Sequence, residues 1–215
     1  MRVIRLEDSG LVYTSNVYLV LGDWSGMSDV NTLVDVGRDP AVLDSLANAP
    51  TGVGKRSVEQ VVLTHEHFDH VEMLGAIHER YNPTVCAFGS GMEGVDRELR
   101  DGDELKAGDQ IFEVLHTTGH SSDSICLFCR EEGVLFAGDT TLVIHSAGGT
   151  YEEGFAAALE RICARDVRAI YFGHGAPLLE DCNLRLQRSL EIVQKSVRRD
   201  ADCSIRTKKV NCEVV

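Results

Sequence analysis

Seven residues, Thr64 to His70, read THEHFDH and hold three of the chain's eight histidines together with an aspartate. They follow the apolar run Val61-Val62-Leu63, so they stand where a strand stops and a helix begins. Alternation along an extended segment puts His65 and His67 on one side, where two imidazoles can reach one metal ion. Asp69 and His70 open the turn that follows and can address a second ion nearby. Imidazole with carboxylate suits zinc, iron, manganese or nickel and is a poor match for calcium.

Three more positions repeat this placement. His120 lies in TTGHSSDS, Asp139 in FAGDTT and His174 in YFGHGAP. Each falls just past an apolar strand and is followed by small or turn-forming residues. One edge of a fold could therefore gather all seven ligand-type residues. A lone histidine after a strand is ordinarily a hydrogen-bonded structural residue, but a repeated pattern is hard to reach by chance.

The elements that must position them are short. Strands are expected over 16–21, 32–36, 58–63, 84–88, 110–116, 123–129, 134–137 and 169–172, with Glu131-Glu132-Gly133 turning a hairpin. Asp39-Pro40 opens a helix as cap and first helical residue. Helices are further expected over 70–81, stopped before Asn82-Pro83, around Phe155 to Cys163, and over 179–198, where Leu186, Leu190, Val193 and Val197 share a face. Those apolar residues would serve a core or a homodimer equally. The loop GDWSGMSD, displaying Trp24 and Met27, is either a flap over a substrate or an ordinary exposed hairpin. The reading is a single domain over 1–199, with two sheets and helices outside, and a weakly patterned tail over 200–215.

Composition limits the partners. At 215 residues with a net charge of −13, the chain argues against broad affinity for nucleic acid or anionic membrane. No apolar stretch approaches the roughly 18–20 residues that span a bilayer. The N-terminus MRVIRLEDSG has no apolar central region, so the seven scattered cysteines read as reduced thiols in a cytoplasm. Cys126 and Cys129 form a CxxC inside an expected strand, where residues three apart face opposite ways, which disfavours a shared metal or disulfide.

The order of these motifs resembles the metallo-β-lactamase superfamily from about Asn16 to His174. The family's HxHxDH signature appears as His65-Glu66-His67-Phe68-Asp69-His70. Its later signatures look like Gly119-His120, Gly138-Asp139 and Gly173-His174-Gly175, and its early strand ending in aspartate looks like Asp35 in TLVDVG. The resemblance implies an α+β fold, an αβ/βα sandwich of two mixed β-sheets packed face to face with helices on the outside. It implies two divalent metal ions, Zn2+ foremost with Fe or Mn as alternatives. One would be held by His65, His67 and His120, the other by Asp69, His70 and His174, with Asp139 bridging. Asp35 would stand behind the ligands and orient an imidazole.

Such a site makes a bridging hydroxide at neutral pH, with Asp69 placed to take or relay its proton. The reaction expected is hydrolysis of a small-molecule carbonyl ester, thioester or lactone. The bridging Asp139 points to the glyoxalase II and lactonase-like branch, because many β-lactam-cleaving members carry cysteine or serine there. Only about 40 residues follow His174, fewer than the helical domain with which glyoxalase II holds glutathione. Other readings of the same fold are a metal-dependent redox or oxygenase site, a non-catalytic ligand-binding member, and a nuclease, for which the acidic chain is poorly suited.

Overall fold

A computed structural model describes residues 1–210 except 90, 147, 148, 150 and 152, and the side chains of these except 153 and 198–210. Among the described residues, eleven strands form two sheets. The first runs β1 (Arg2–Arg5), β2 (Tyr18–Leu21), β3 (Thr32–Val34), β4 (Gln60–Val62), β5 (Thr84–Phe88), β6 (Arg97–Leu99) in spatial order. Its first two pairings are antiparallel and the next three parallel. The second is ordered β11 (Ala169–Phe172), β10 (Val134–Gly138), β9 (Ile125–Cys129), β8 (Gln110–His116), β7 (Glu104–Ala107). Only β10 and β11 pair in parallel there. Five helices complete the described elements: α1 (Ala41–Ala47), α2 (Phe68–Val71), α3 (Leu74–Tyr81), α4 (Glu153–Cys163) and α5 (Cys182–Val210).

The sequence requires this layering. Strands such as YLVL and ICLFC are apolar at every position, so both their faces must be buried. Alternation then divides each strand between two cores. Tyr18, Val20, Val34, Val62 and Cys86 face the second sheet, meeting Phe112, Val114, Leu127, Cys129 and Phe136. Leu19, Leu21, Leu33, Val61 and Val85 point outward onto Leu46 of α1 and Ile77 of α3. The outer face of the second sheet, with Cys126, Phe128, Leu135 and Ile170, packs on Leu159 and Ile162 of α4 and Leu186 and Val193 of α5. Cys126 and Cys129 thus lie in different cores, as their spacing predicts. The stripe on α5 is core packing. The result is the expected αβ/βα sandwich.

Several boundaries differ from expectation, each for a local reason. The helix expected over 70–81 is two helices, because the Met73 N–H donates to the Gly37 carbonyl at 3.1 Å and leaves the helical ladder. Its end is as read: Asn82 takes the left-handed conformation at the C-cap. Asp39 does cap α1, accepting the Ala41 N–H at 3.0 Å, although regular helix starts after Pro40. Strands β1, β6 and β7 carry no strong apolar pattern and form by pairing with a neighbour. Helix α5 runs through residue 200 to Val210, so the expected tail begins as helix; no Gly or Pro interrupts that stretch.

The Trp24 loop is settled by strand direction. Strand β2 enters where Asn16 meets Phe172 and leaves at the opposite edge, where Val30 pairs with Gly108. The loop therefore sits at the far end from the histidine motifs, and Trp24 is an exposed loop residue. No helix among the described residues is long and apolar enough to cross a membrane.

Phe112 is fully buried between the sheets, so Phe112→Ala should cost about 3–5 kcal/mol, read as a lower denaturant midpoint at unchanged slope.

Candidate metal centre

Parallel pairing of β3 with β4 sets Val34 beside Val62, so the residues that follow both strands meet at one edge. Asp35 comes first, in the left-handed region at φ +59°. A non-glycine residue held there is strained, and its neighbours must hold it. Its carboxylate accepts the Thr64 N–H at 2.7 Å, the Thr64 hydroxyl at 2.9 Å and His70 Nδ1–H at 2.8 Å. A carboxylate only accepts, so His70 must carry its proton on Nδ1. Its Nε2 then faces the interior of the site.

The same logic sets His65. Thr64 has given its one hydroxyl proton to Asp35, so at 3.1 Å its oxygen accepts from His65 Nδ1. Again Nε2 is left to point inward. Burial, with the charge on His70 next, pushes the His65 imidazole down to about 4, which keeps it a neutral lone-pair donor. Burial would also lower His70, but Asp35 and Asp139 outweigh it and raise that group to about 10. Asp139 is held below the usual carboxylate range: burial raises it, and His70 and its neighbours lower it further. The pocket of charge that grips a proton so firmly on His70 would grip a cation in its place.

The other residues arrive from the second sheet. Asn16 binds the turn after β11, donating from its side chain to the carbonyls of Phe172 and Gly175, each at 2.9 Å. Gly173 packs so tightly that a Cβ there would overlap Asp139 Oδ1 and lie 2.7 Å from His70 Cε1. Thr117 and Thr140 share a buried hydrogen bond of 2.9 Å, joining the segments that carry His120 and Asp139. Asp123 accepts the Glu66 N–H at 2.8 Å, tying the loop after β4 to the one after His120.

Seven donors expected from widely spaced motifs are brought together. His65, His67 and His120 form one group, Asp69, His70 and His174 a second, and His65, His70 and Asp139 a third that joins them. Within each group the donor atoms lie within 4.8 Å of one another. His67 Nδ1 lies 2.9 Å from His120 Nε2, and His174 Nε2 lies 3.0 Å from Asp69 Oδ2. Asp139 reaches His70 at 3.3 Å, His174 at 3.5 Å and His120 at 3.6 Å. Buried His65 Nε2, His70 Nε2, Asp69 Oδ2 and Asp139 Oδ1 have no hydrogen-bond partner. Orphans of that kind are rare in a folded core, and four shared between two adjoining donor groups fit bound cations. Five imidazoles and two carboxylates are a donor set for zinc, iron or manganese.

The remaining histidines lie outside this cluster. His116 stacks on Phe88 and bonds the Ser122 carbonyl at 2.8 Å, a structural role. His78 and His145 are exposed and join none of the three groups. Sequence reasoning missed Tyr13, whose ring stacks on His174 with centroids 5.2 Å apart. It also missed the relay through Thr64. Neither residue stands in a motif position that marks it, although Thr64 directly precedes His65.

Fold and site together define a protein of the metal-binding αβ/βα sandwich class. The sequence profile of the metallo-beta-lactamase superfamily matches residues 11–174, and the chain belongs to that superfamily, on its glyoxalase II-like branch. A hydroxyacylglutathione hydrolase of Rhizobium meliloti (strain 1021) is 30% identical over 175 residues, covering 78% of this chain and 65% of that protein. An atrochrysone carboxyl ACP thioesterase of Aspergillus fumigatus is 26% identical over 188 residues, covering 86% of this chain and 58% of that one. Among solved structures, ETHE1 from Myxococcus xanthus superposes with a TM-score of 0.68 at 23% identity, covering 90% of this chain and 85% of that one. This chain thus spans under two thirds of the length of those two enzymes, and the ETHE1 likeness bears on the fold alone.

Asparagine tolerates the left-handed backbone, so Asp35→Asn should keep the fold and remove the charge behind His70. Metal affinity should fall by about 10- to 100-fold in a competitive chelator titration.

Proposed function

We propose that the chain is a dinuclear metal-dependent hydrolase of small acyl thioesters, with esters and lactones as neighbouring substrates. The observation that carries this reading is the set of interlocking donor groups with four orphaned polar atoms at their centre. His65, His67 and His120 would hold one divalent ion, and Asp69, His70 and His174 the other, with Asp139 between. Zinc is the first candidate, with iron or manganese as alternatives. The chemistry that such ions supply when bound is Lewis acidity toward a carbonyl oxygen and acidification of water. The relatives' names point to the bond: one is a hydrolase of an acylglutathione, the other a thioesterase.

The chain's own residues prepare that chemistry. Asp35 and Thr64 hold two imidazoles with their Nε2 lone pairs inward. Asp69 is buried, yet one of its oxygens lacks a hydrogen bond, so it can hold a proton taken from an attacking water. Cys86, Cys126, Cys129 and Cys182 are buried and none of them joins the donor groups, so this reading takes water as the nucleophile.

Asp139→Ala removes the carboxylate shared by both halves of the site. Bound metal, counted by elemental analysis, should drop below that of the native chain. Thioester turnover should drop by more than about 100-fold, the upper end for outer-shell partners alone. Full turnover by this variant with only trace metal would sink the reading.

A further inference from the structure

The hydrolase reading leaves the acyl part of the substrate open, and the rim of the site bears on it. Tyr13 lies over the His174 ring at an interplanar angle of 19°, with its hydroxyl 3.5 Å from Nε2. Phe68 stands 6.5 Å from Tyr13, centroid to centroid. Tyr13 is 65% exposed, Phe68 55%, and Leu11, two residues before Tyr13, 90%. Large apolar side chains left bare beside a polar cluster mark a surface that meets something. On the side of His174 toward Asp139 a cavity of about 300 Å³ opens, walled by Leu142, Val143 and Phe172 with Thr140 and Thr141. That volume is at the small end for ligand sites.

Charge narrows the class. The cavity lining has no lysine or arginine. Among the described residues Arg38 brings a cation to Phe68, lying 5.3 Å over its ring, and is paired with Glu72 at 2.9 Å. A substrate bearing carboxylates, such as a glutathione thioester, would have to share that guanidinium with Glu72. A flat uncharged group would gain stacking on the open face of Tyr13, with the Phe68 ring, tilted 41° to it, flanking the group, and no ion would be desolvated.

Resting on the hydrolase reading, we propose that the substrate carries an aromatic acyl group, which lies on the Tyr13–Phe68 platform beside His174.

The test uses the metal-loaded full chain. Three thioesters are compared: 2-naphthoyl and acetyl thioesters of N-acetylcysteamine, and S-lactoylglutathione. Binding of 2-naphthamide, uncharged and not a thioester, is measured by calorimetry. The naphthoyl thioester should have the highest kcat/KM. Tyr13→Ala should weaken 2-naphthamide binding by about 2- to 10-fold, the worth of one aromatic pair, and raise KM for the naphthoyl thioester by a similar factor. Tyr13→Phe, which keeps the ring, should restore both. Preference for S-lactoylglutathione, or 2-naphthamide binding that Tyr13→Ala leaves intact, would overturn the platform while the hydrolase reading stands. Silence toward every thioester, with 2-naphthamide binding that depends on Tyr13, would overturn the thioester reading of the site and keep the platform.

Discussion

One carboxylate ties the site to the fold. Asp35 accepts three hydrogen bonds, two from Thr64 and one from His70, and so joins the ends of two parallel strands to the helix that follows. It does so from a left-handed backbone that is unfavourable for a residue with a Cβ. Three hydrogen bonds to a charged acceptor outweigh that strain, since each contributes more than a neutral one. The consequences spread outward. His70 and, through Thr64, His65 are fixed in one tautomer and one orientation, and everything that the site can bind depends on those two lone pairs.

The site is bound up with the energetics of the sandwich. A buried polar atom without a partner costs about 1–3 kcal/mol, and the donor cluster holds four of them. The surrounding structure must supply that stability from elsewhere. It has three apolar cores to draw on, one between the sheets and one beneath each helical layer. Strands β2, β3, β4, β9 and β10 are buried on both faces because the helices cover what the facing sheet does not. A cation bound among the orphaned atoms would satisfy them together, so metal and fold are expected to stabilise each other.

Legibility in the sequence followed the strength of the local pattern. Strands β5, β8 and β11 stand where the sequence pattern put them, because each short segment carries apolar residues at strand spacing between clear turn or helix signals. The edge strands β1, β6 and β7 were illegible: RVIR and REL owe their conformation to the partner across the ladder, and pairing is not written in either segment alone. The break between α2 and α3 comes from the carbonyl of Gly37, well over thirty residues earlier in the chain. The Trp24 loop has the composition of a flap, yet strand direction puts it at the far edge. Tyr13 carried no mark at all, since its importance lies wholly in what it rests against.

By itself the sequence determined the donors and the edge on which they lie. His65, His67, Asp69 and His70 fall within six residues, and local geometry at the end of a strand leaves them little freedom. Glycine beside His120, Asp139 and His174 was visible as a pattern, though its reason was not. Only the tertiary structure decided which donors share a centre, which nitrogen of each imidazole faces inward, and why no side chain fits at Gly173. His70 and His174 are over a hundred residues apart, and what joins them is the packing of one sheet against another through Asn16 and the β11 turn. Spacing along a chain dictates what neighbours can reach. Distance across a core is set by every side chain that fills it.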